Sequence, residues 1–161
     1  FYFSDSFPDN ERKRICICKI LHKLSKVHNV VVLNTGLSVD DHSEHDLKAE
    51  HFIDLSEWIN LRTNLDFQTR IIANSKMFIG TYGGFSYIAP YYGVPSVAFF
   101  SEENAFSKQH LEAANNAFQK MRESQNFQGS ETNALLDYNP VFMPIDVDKF
   151  NIILNSLFKQ G

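Results

Sequence analysis

Apolar and polar positions along the chain follow two periods, and each predicts its own kind of element. Over residues 11–28, Ile17, Ile20, Leu21, Leu24 and Val27 recur three or four apart, which lines one face of a helix. Residues 30–33, Val-Val-Val-Leu, are an unbroken apolar run of the kind buried on both faces of a parallel sheet. An aromatic run at 1–3 reads as a preceding strand, and 51–55 as a third. Thr63 or Asn64 can cap a helix that runs to about residue 76 with Phe67, Ile71 and Ile72 inward. Strand 77–81, a short helix at 85–92 stopped by Gly93, and strand 95–100 follow in close order. A helix over 104–122 places Leu111, Ala114, Phe118 and Met121 inward. Residues 141–143 suggest a sixth strand, and Asp146 caps a last helix bearing Phe150, Ile153, Leu154 and Leu157. The stretches 37–50 and 123–139 are polar and read as loops.

Strands alternating with helices imply right-handed crossovers. The expected fold is therefore α/β, a three-layer, mostly parallel, Rossmann-like sheet with helices on both faces. At 161 residues and 43% apolar, the chain is the size of one domain, 1–161. Its start in an aromatic strand without Met is what a piece of a longer protein would show.

Charge narrows the partners. The net charge is -4 and the 15 Lys and Arg are scattered, so nucleic-acid binding is not expected. No apolar run approaches the ~20 residues of a transmembrane segment. Cys16 and Cys18 lie two apart on a predicted helix, where side chains diverge, and read as free thiols of a reducing compartment, with Cys16 packed on the core side. Residues 40–45, Asp-Asp-His-Ser-Glu-His, contain metal-ligand types but no rigid element to fix them; a solvated loop or a lid is the reading, and no metal is expected.

In an open parallel sheet, ligands bind at the carboxyl ends of the strands. The turn Thr81-Tyr82-Gly83-Gly84-Phe85-Ser86 stands at such an end. Two glycines admit close backbone approach, a helix start offers free amides and a positive dipole end, and Thr81 and Ser86 add hydroxyls, together suiting an anion. A tight turn that needs glycine for geometry alone is the competing reading. Neither G-x-G-x-x-G nor the P-loop pattern occurs.

Residues Trp58-Ile59-Asn60-Leu61-Arg62-Thr63-Asn64-Leu65, Gln68-Thr69, Phe78 to Tyr87, Ala89-Pro90, Gly93-Val94 and Ala98-Phe99-Phe100-Ser101 together resemble the donor-binding half of GT-B glycosyltransferases of bacteria. The resemblance implies that the diphosphate of a nucleotide sugar rests on the amides of Gly83, Gly84, Phe85 and Ser86, with the Thr81 hydroxyl at the strand end as a further phosphate contact. It implies contacts to base, ribose or sugar from Asn34, Thr35, Trp58, Arg62, Asn64, Gln68, Ser101 and Glu102. Several of these keep a second reading: Trp58 as core, Asn64 as a cap, Arg70 and Glu103 as solvated helix charges, and His110 as a surface or packing residue.

The nucleotide diphosphate sugar would be substrate, with no further cofactor. The missing partner would be an amino-terminal acceptor domain holding the catalytic base, and the surface where it docks, Tyr91 and Tyr92 included, suits homodimerisation in its absence. The implied location is cytoplasmic, free or peripheral to the inner membrane face. A non-catalytic nucleotide- or sugar-binding module and half of a sugar-nucleotide epimerase are the alternatives to a transferase.

Overall fold

The computed structural model describes residues 2–3, 7–33, 43–44, 52–55, 58–60, 62–101, 108–126 and 140–158. In chain order the elements are β1 (Tyr2–Phe3), α1 (Glu11–Ser25), β2 (Val30–Val32), β3 (Ser43–Glu44), β4 (Phe52–Asp54), α2 (Asn64–Ala73), β5 (Phe78–Thr81), α3 (Gly84–Tyr91), β6 (Ser96–Phe100), α4 (Lys108–Asn126), β7 (Val141–Pro144) and α5 (Val147–Phe158). The fold is α/β with parallel pairing, as the alternation of periods predicts.

The strands hydrogen-bond in three small groups. β5, β6 and β7 form a parallel sheet, β2 pairs parallel with β4, and β1 pairs antiparallel with β3. This modifies two expectations: the six-strand parallel run is divided, and the polar stretch at 37–50 contributes a strand. A two-residue ladder needs only backbone groups, so no apolar period announces it.

Adjacent residues in β5 identify the two faces of its sheet. Ile79 packs with Ile17, Ile20, Leu21 and Leu24 of α1, Val97 and Phe99 of β6, and Phe150 of α5. Phe78 joins Ile72 of α2, Ala89 of α3 and Val94. Neighbouring strand residues point to opposite sides, so α1 and α5 cover one face and α2 and α3 the other.

Local chemistry sets the helix ends. Asn10 Oδ1 accepts from the Lys13 amide at 2.9 Å and starts α1. Asp146 Oδ1 accepts from the amides of Asp148 and Lys149 and starts α5. α3 stops at Gly93, whose φ of 70° suits glycine. There the Val94 amide donates to Ala89 O at 3.1 Å and the Gly93 amide to Pro90 O at 3.0 Å, a Schellman closure with Val94 turned back onto Ala89.

Some expected burial does not occur. Val27 lies beyond the end of α1 and is exposed, and Val31 stands opposite Ile53 in the β2–β4 register with both side chains exposed. The run 30–33 is thus buried on one face only. Cys16 is half-buried, Cys18 is exposed, and both are free thiols. Phe118 is buried on α4 as expected, whereas the side chains of Leu111, Met121, Ile153, Leu154 and Leu157 lie outside the described residues. No described helix is long and apolar enough to cross a membrane.

Candidate functional site

β5 delivers the chain to the turn. Thr81, its last residue, pairs in register with Phe99, and the Tyr82 amide still donates to Phe99 O at 2.9 Å. The chain then leaves the sheet at Gly83 and enters α3 at Gly84.

Ser86 closes this bend from inside. Its hydroxyl donates to Gly83 O at 2.6 Å and accepts from the Gly83 amide at 3.3 Å, while the Ser86 amide donates to Gly83 O at 3.1 Å. Its carbonyl takes the Ser96 hydroxyl at 2.8 Å, so turn and β6 are joined. Ser86 is fully buried. The residue expected to face a phosphate therefore shapes the cradle, because a hydroxyl at the third helical position reaches back to the cap more readily than outward.

The first-turn amides of Gly84 and Phe85 have no intrahelical carbonyl to reach. No other partner for them occurs among the described residues. Gly84 is exposed, and a Cβ built on Gly83 or Gly84 meets nothing within 4 Å. Gly83 has φ 167°, extended backbone open to any residue. Neither glycine is demanded by backbone angle or by packing within the protein. The competing reading, glycine for turn geometry alone, loses its support; what the glycines supply is open space at the start of α3.

The surrounding candidates divide by exposure. Trp58 is 71% exposed, which removes the core reading and leaves its indole open to stacking. Asn60 Oδ1 accepts from the amides of Arg62 and Thr63 at 3.0 and 3.1 Å, shaping the entry to α2, and Arg62 is exposed there. Thr63 holds the cap position of α2 without a side-chain cap bond. Asn64 opens the helix and accepts from Gln68 Nε2, and Gln68 is buried. Arg70 is committed to Asp66, one turn back on the exposed face. His110 is exposed on α4. Asn34, Thr35, Glu102 and Glu103 lie outside the described residues.

Ser101 follows β6 at the same edge of the sheet, buried, and its Oγ accepts from Lys13 Nζ at 3.2 Å. Lys13 is a residue that sequence reading missed. It is 6% exposed, donates also to Pro8 O at 2.9 Å, and stands 5.0 Å from the Phe7 ring centroid. Its position three residues after the cap Asn10 was the available signal: at a helix start, a long side chain can fold back over the preceding loop.

An aromatic group flanks the turn. Tyr82 and Tyr87 meet edge-on at 5.8 Å, and both contact Phe142 of β7 at 5.4 Å. No group of three or more metal-ligating side chains occurs among the described residues, and residues 40–42 and 45 lie outside them. No family model, curated protein or solved structure matches the chain.

Proposed function

We propose that this chain is the donor-binding domain of a GT-B type glycosyltransferase, with a Rossmann-like sheet, and that it holds a nucleotide diphosphate sugar at the start of α3. The observation that carries the reading is the unobstructed Gly83-Gly84 bend, placed between a parallel strand and a helix start whose first amides have no intrahelical acceptor. A helix start of this kind suits an anion because unsatisfied N–H groups and the dipole act together. A diphosphate leaving group develops negative charge, and preorganised amides stabilise it without reorganising. Exposed Trp58 supplies a face for the base, and Arg62 a cation near the entry to α2.

In this reading the catalytic base and the acceptor site belong to a second domain. The chain works in the cytoplasm, where nucleotide sugars are made. Calorimetric titration with the diphosphates of uridine, guanosine, adenosine and cytidine tests it. At least one should bind, with preference among the bases; no binding by any of them at millimolar concentration would overturn the reading.

A further inference from the structure

Although the 15 Lys and Arg are spread from end to end, six of them fall between residues 12 and 26, and no Asp or Glu occurs from 12 to 39. The six belong to α1 and its C-cap, Lys26. The apolar face of α1 is already covered by the core: Ile17, Ile20, Leu21 and Leu24 are buried, with Lys13 beside them. The other five cations, Arg12, Arg14, Lys19, Lys23 and Lys26, are exposed.

Positions three or four apart share a helix face, so Arg12, Ile15, Lys19, Lys23 and Lys26 form a row along the outside of α1. The acids near this row gather at its amino end. Arg14 is committed to Asp9, Arg12 is within electrostatic reach of Asp146, and Glu11 opens the helix. Further along, Lys19 and Lys26 have no ion-pair partner among the described residues. Lys23 Nζ donates to Asn151 Oδ1 of α5 at 2.6 Å, a neutral partner that leaves the charge uncompensated. That bond continues the surface onto α5, where the next residue, Ile152, is 71% exposed. Ile15 within the row is 46% exposed, and Val27 after it 69%.

We propose that the outer face of α1, with Ile152 of α5, is a docking surface for an anionic phospholipid bilayer. Lys19, Lys23 and Lys26 meet the lipid phosphates, while Ile15, Val27 and Ile152 enter the headgroup boundary. Charge complementarity supports this occupant. Residues 12–26 carry +6 in a chain of net charge -4, so the remainder carries -10. An anionic surface repels that remainder and attracts this face, which sets a single orientation. A nucleic acid also matches the cations, but its phosphate backbone gains nothing from exposed isoleucines, whereas a bilayer boundary accepts both kinds of group. The surface lies across the sheet from α3 and is independent of the diphosphate reading.

The test is sedimentation of the 161-residue chain with vesicles of phosphatidylcholine, alone or mixed with an equal amount of phosphatidylglycerol. The chain should sediment with the mixed vesicles at about 0.1 M salt, be released at about 1 M, and ignore pure phosphatidylcholine. Lys19→Gln with Lys26→Gln should weaken binding roughly twenty-five-fold, about fivefold for each cation. Ile15→Ser with Ile152→Ser should weaken it at least about fivefold. Lys76→Gln with Lys120→Gln, which removes the same charge after α2 and on α4, should leave it unchanged. All six positions are exposed, and thermal unfolding checks that each variant is folded. Equal uptake by pure phosphatidylcholine, or unchanged binding in either the lysine pair or the isoleucine pair, overturns the proposal. So does absence of vesicle binding, including the case in which polyglutamate or duplex DNA binds instead and the face belongs to an acidic protein or a nucleic acid. None of these results bears on nucleoside diphosphate binding, so the two readings fail separately.

Discussion

Lys13 Nζ donates to Ser101 Oγ at 3.2 Å, joining the first turn of α1 to the residue after β6 across 88 positions of sequence. The same ammonium holds Pro8 O at 2.9 Å. One buried cation thus ties the loop before α1 to the carboxyl edge of the sheet. Replacing Lys13 by Met keeps the apolar stem and deletes these bonds, leaving the buried Ser101 hydroxyl and the half-buried Pro8 carbonyl without their charged donor. The expected loss is roughly 2 kcal/mol, since hydrogen bonds to charged groups exceed neutral ones. Urea unfolding should show a lower midpoint with an unchanged slope. A Lys13→Met midpoint equal to that of the wild type would mean that the ammonium carries no weight in the fold.

Much of this arrangement was legible from residue pattern. The inward face of α1, the strands β5, β6 and β7 and the Asp146 cap all follow from apolar spacing or from a capping side chain, which are local signals; of the face expected on α2 only Ile72 is buried, together with Gln68, while Phe67 and Ile71 are half-buried. What escaped depends on tertiary neighbours. Lys13 looks like any solvent-facing charge until Ser101 arrives from 88 residues away. Val31 reads as doubly buried because β-branched runs usually are, but its outer face meets the equally exposed Ile53. At the site, the bend and its glycines were legible because strand, Gly-Gly and helix are adjacent in sequence. The inward turn of Ser86 was not, since a hydroxyl at that position can face either way until the cap geometry is known.

Gly84 separates fold from function. It is the first residue of α3, and a Cβ there meets nothing within 4 Å. Gly84→Ala should therefore stabilise the protein by about 0.5 kcal/mol, through lower entropy of the unfolded chain. The same methyl group takes up open space at the start of α3 and should weaken diphosphate binding there, and Gly84→Val should abolish it with the circular dichroism spectrum unchanged. A Gly84→Val protein that binds as tightly as the wild type would place the ligand elsewhere.

Tyr87 carries a buried hydroxyl that makes no hydrogen bond of normal geometry among the described residues. Tyr87→Phe should leave the ring contacts with Tyr82 and Phe142 in place and raise stability by up to about 1 kcal/mol. Burial foremost, then the adjacent Tyr82 hydroxyl, pushes the Tyr87 phenol above its ordinary ionisation range. The unfolded chain releases this proton near 10.0 while the folded protein retains it. Stability is thus unaffected below that pH and falls as pH rises beyond it. Chemical denaturation at alkaline pH should show the wild type losing stability faster than Tyr87→Phe; parallel losses would remove Tyr87 as the cause.

Asp146 gives the corresponding dependence in acid. Its Oδ1 accepts from the Lys149 amide at 3.0 Å and the Asp148 amide at 2.9 Å. The Lys149 amide bond is the main reason its carboxyl lies below the ordinary value; the Asp148 amide and the charges of Lys149 and Arg12 add to it, against a partial loss of solvent. A lowered folded pKa means that the ionised cap contributes fully above the unfolded value of 3.8 and is lost as pH falls through the folded value. Asp146→Ala should melt below the wild type at neutral pH, and the gap should narrow steadily below about pH 4. Asp146→Asn keeps an acceptor without the charge, so its stability relative to Asp146→Ala should not change with acid. A wild-type advantage over Asp146→Ala that persists undiminished down to about pH 2 would show that the neutral carboxyl caps α5 as well as the anion does.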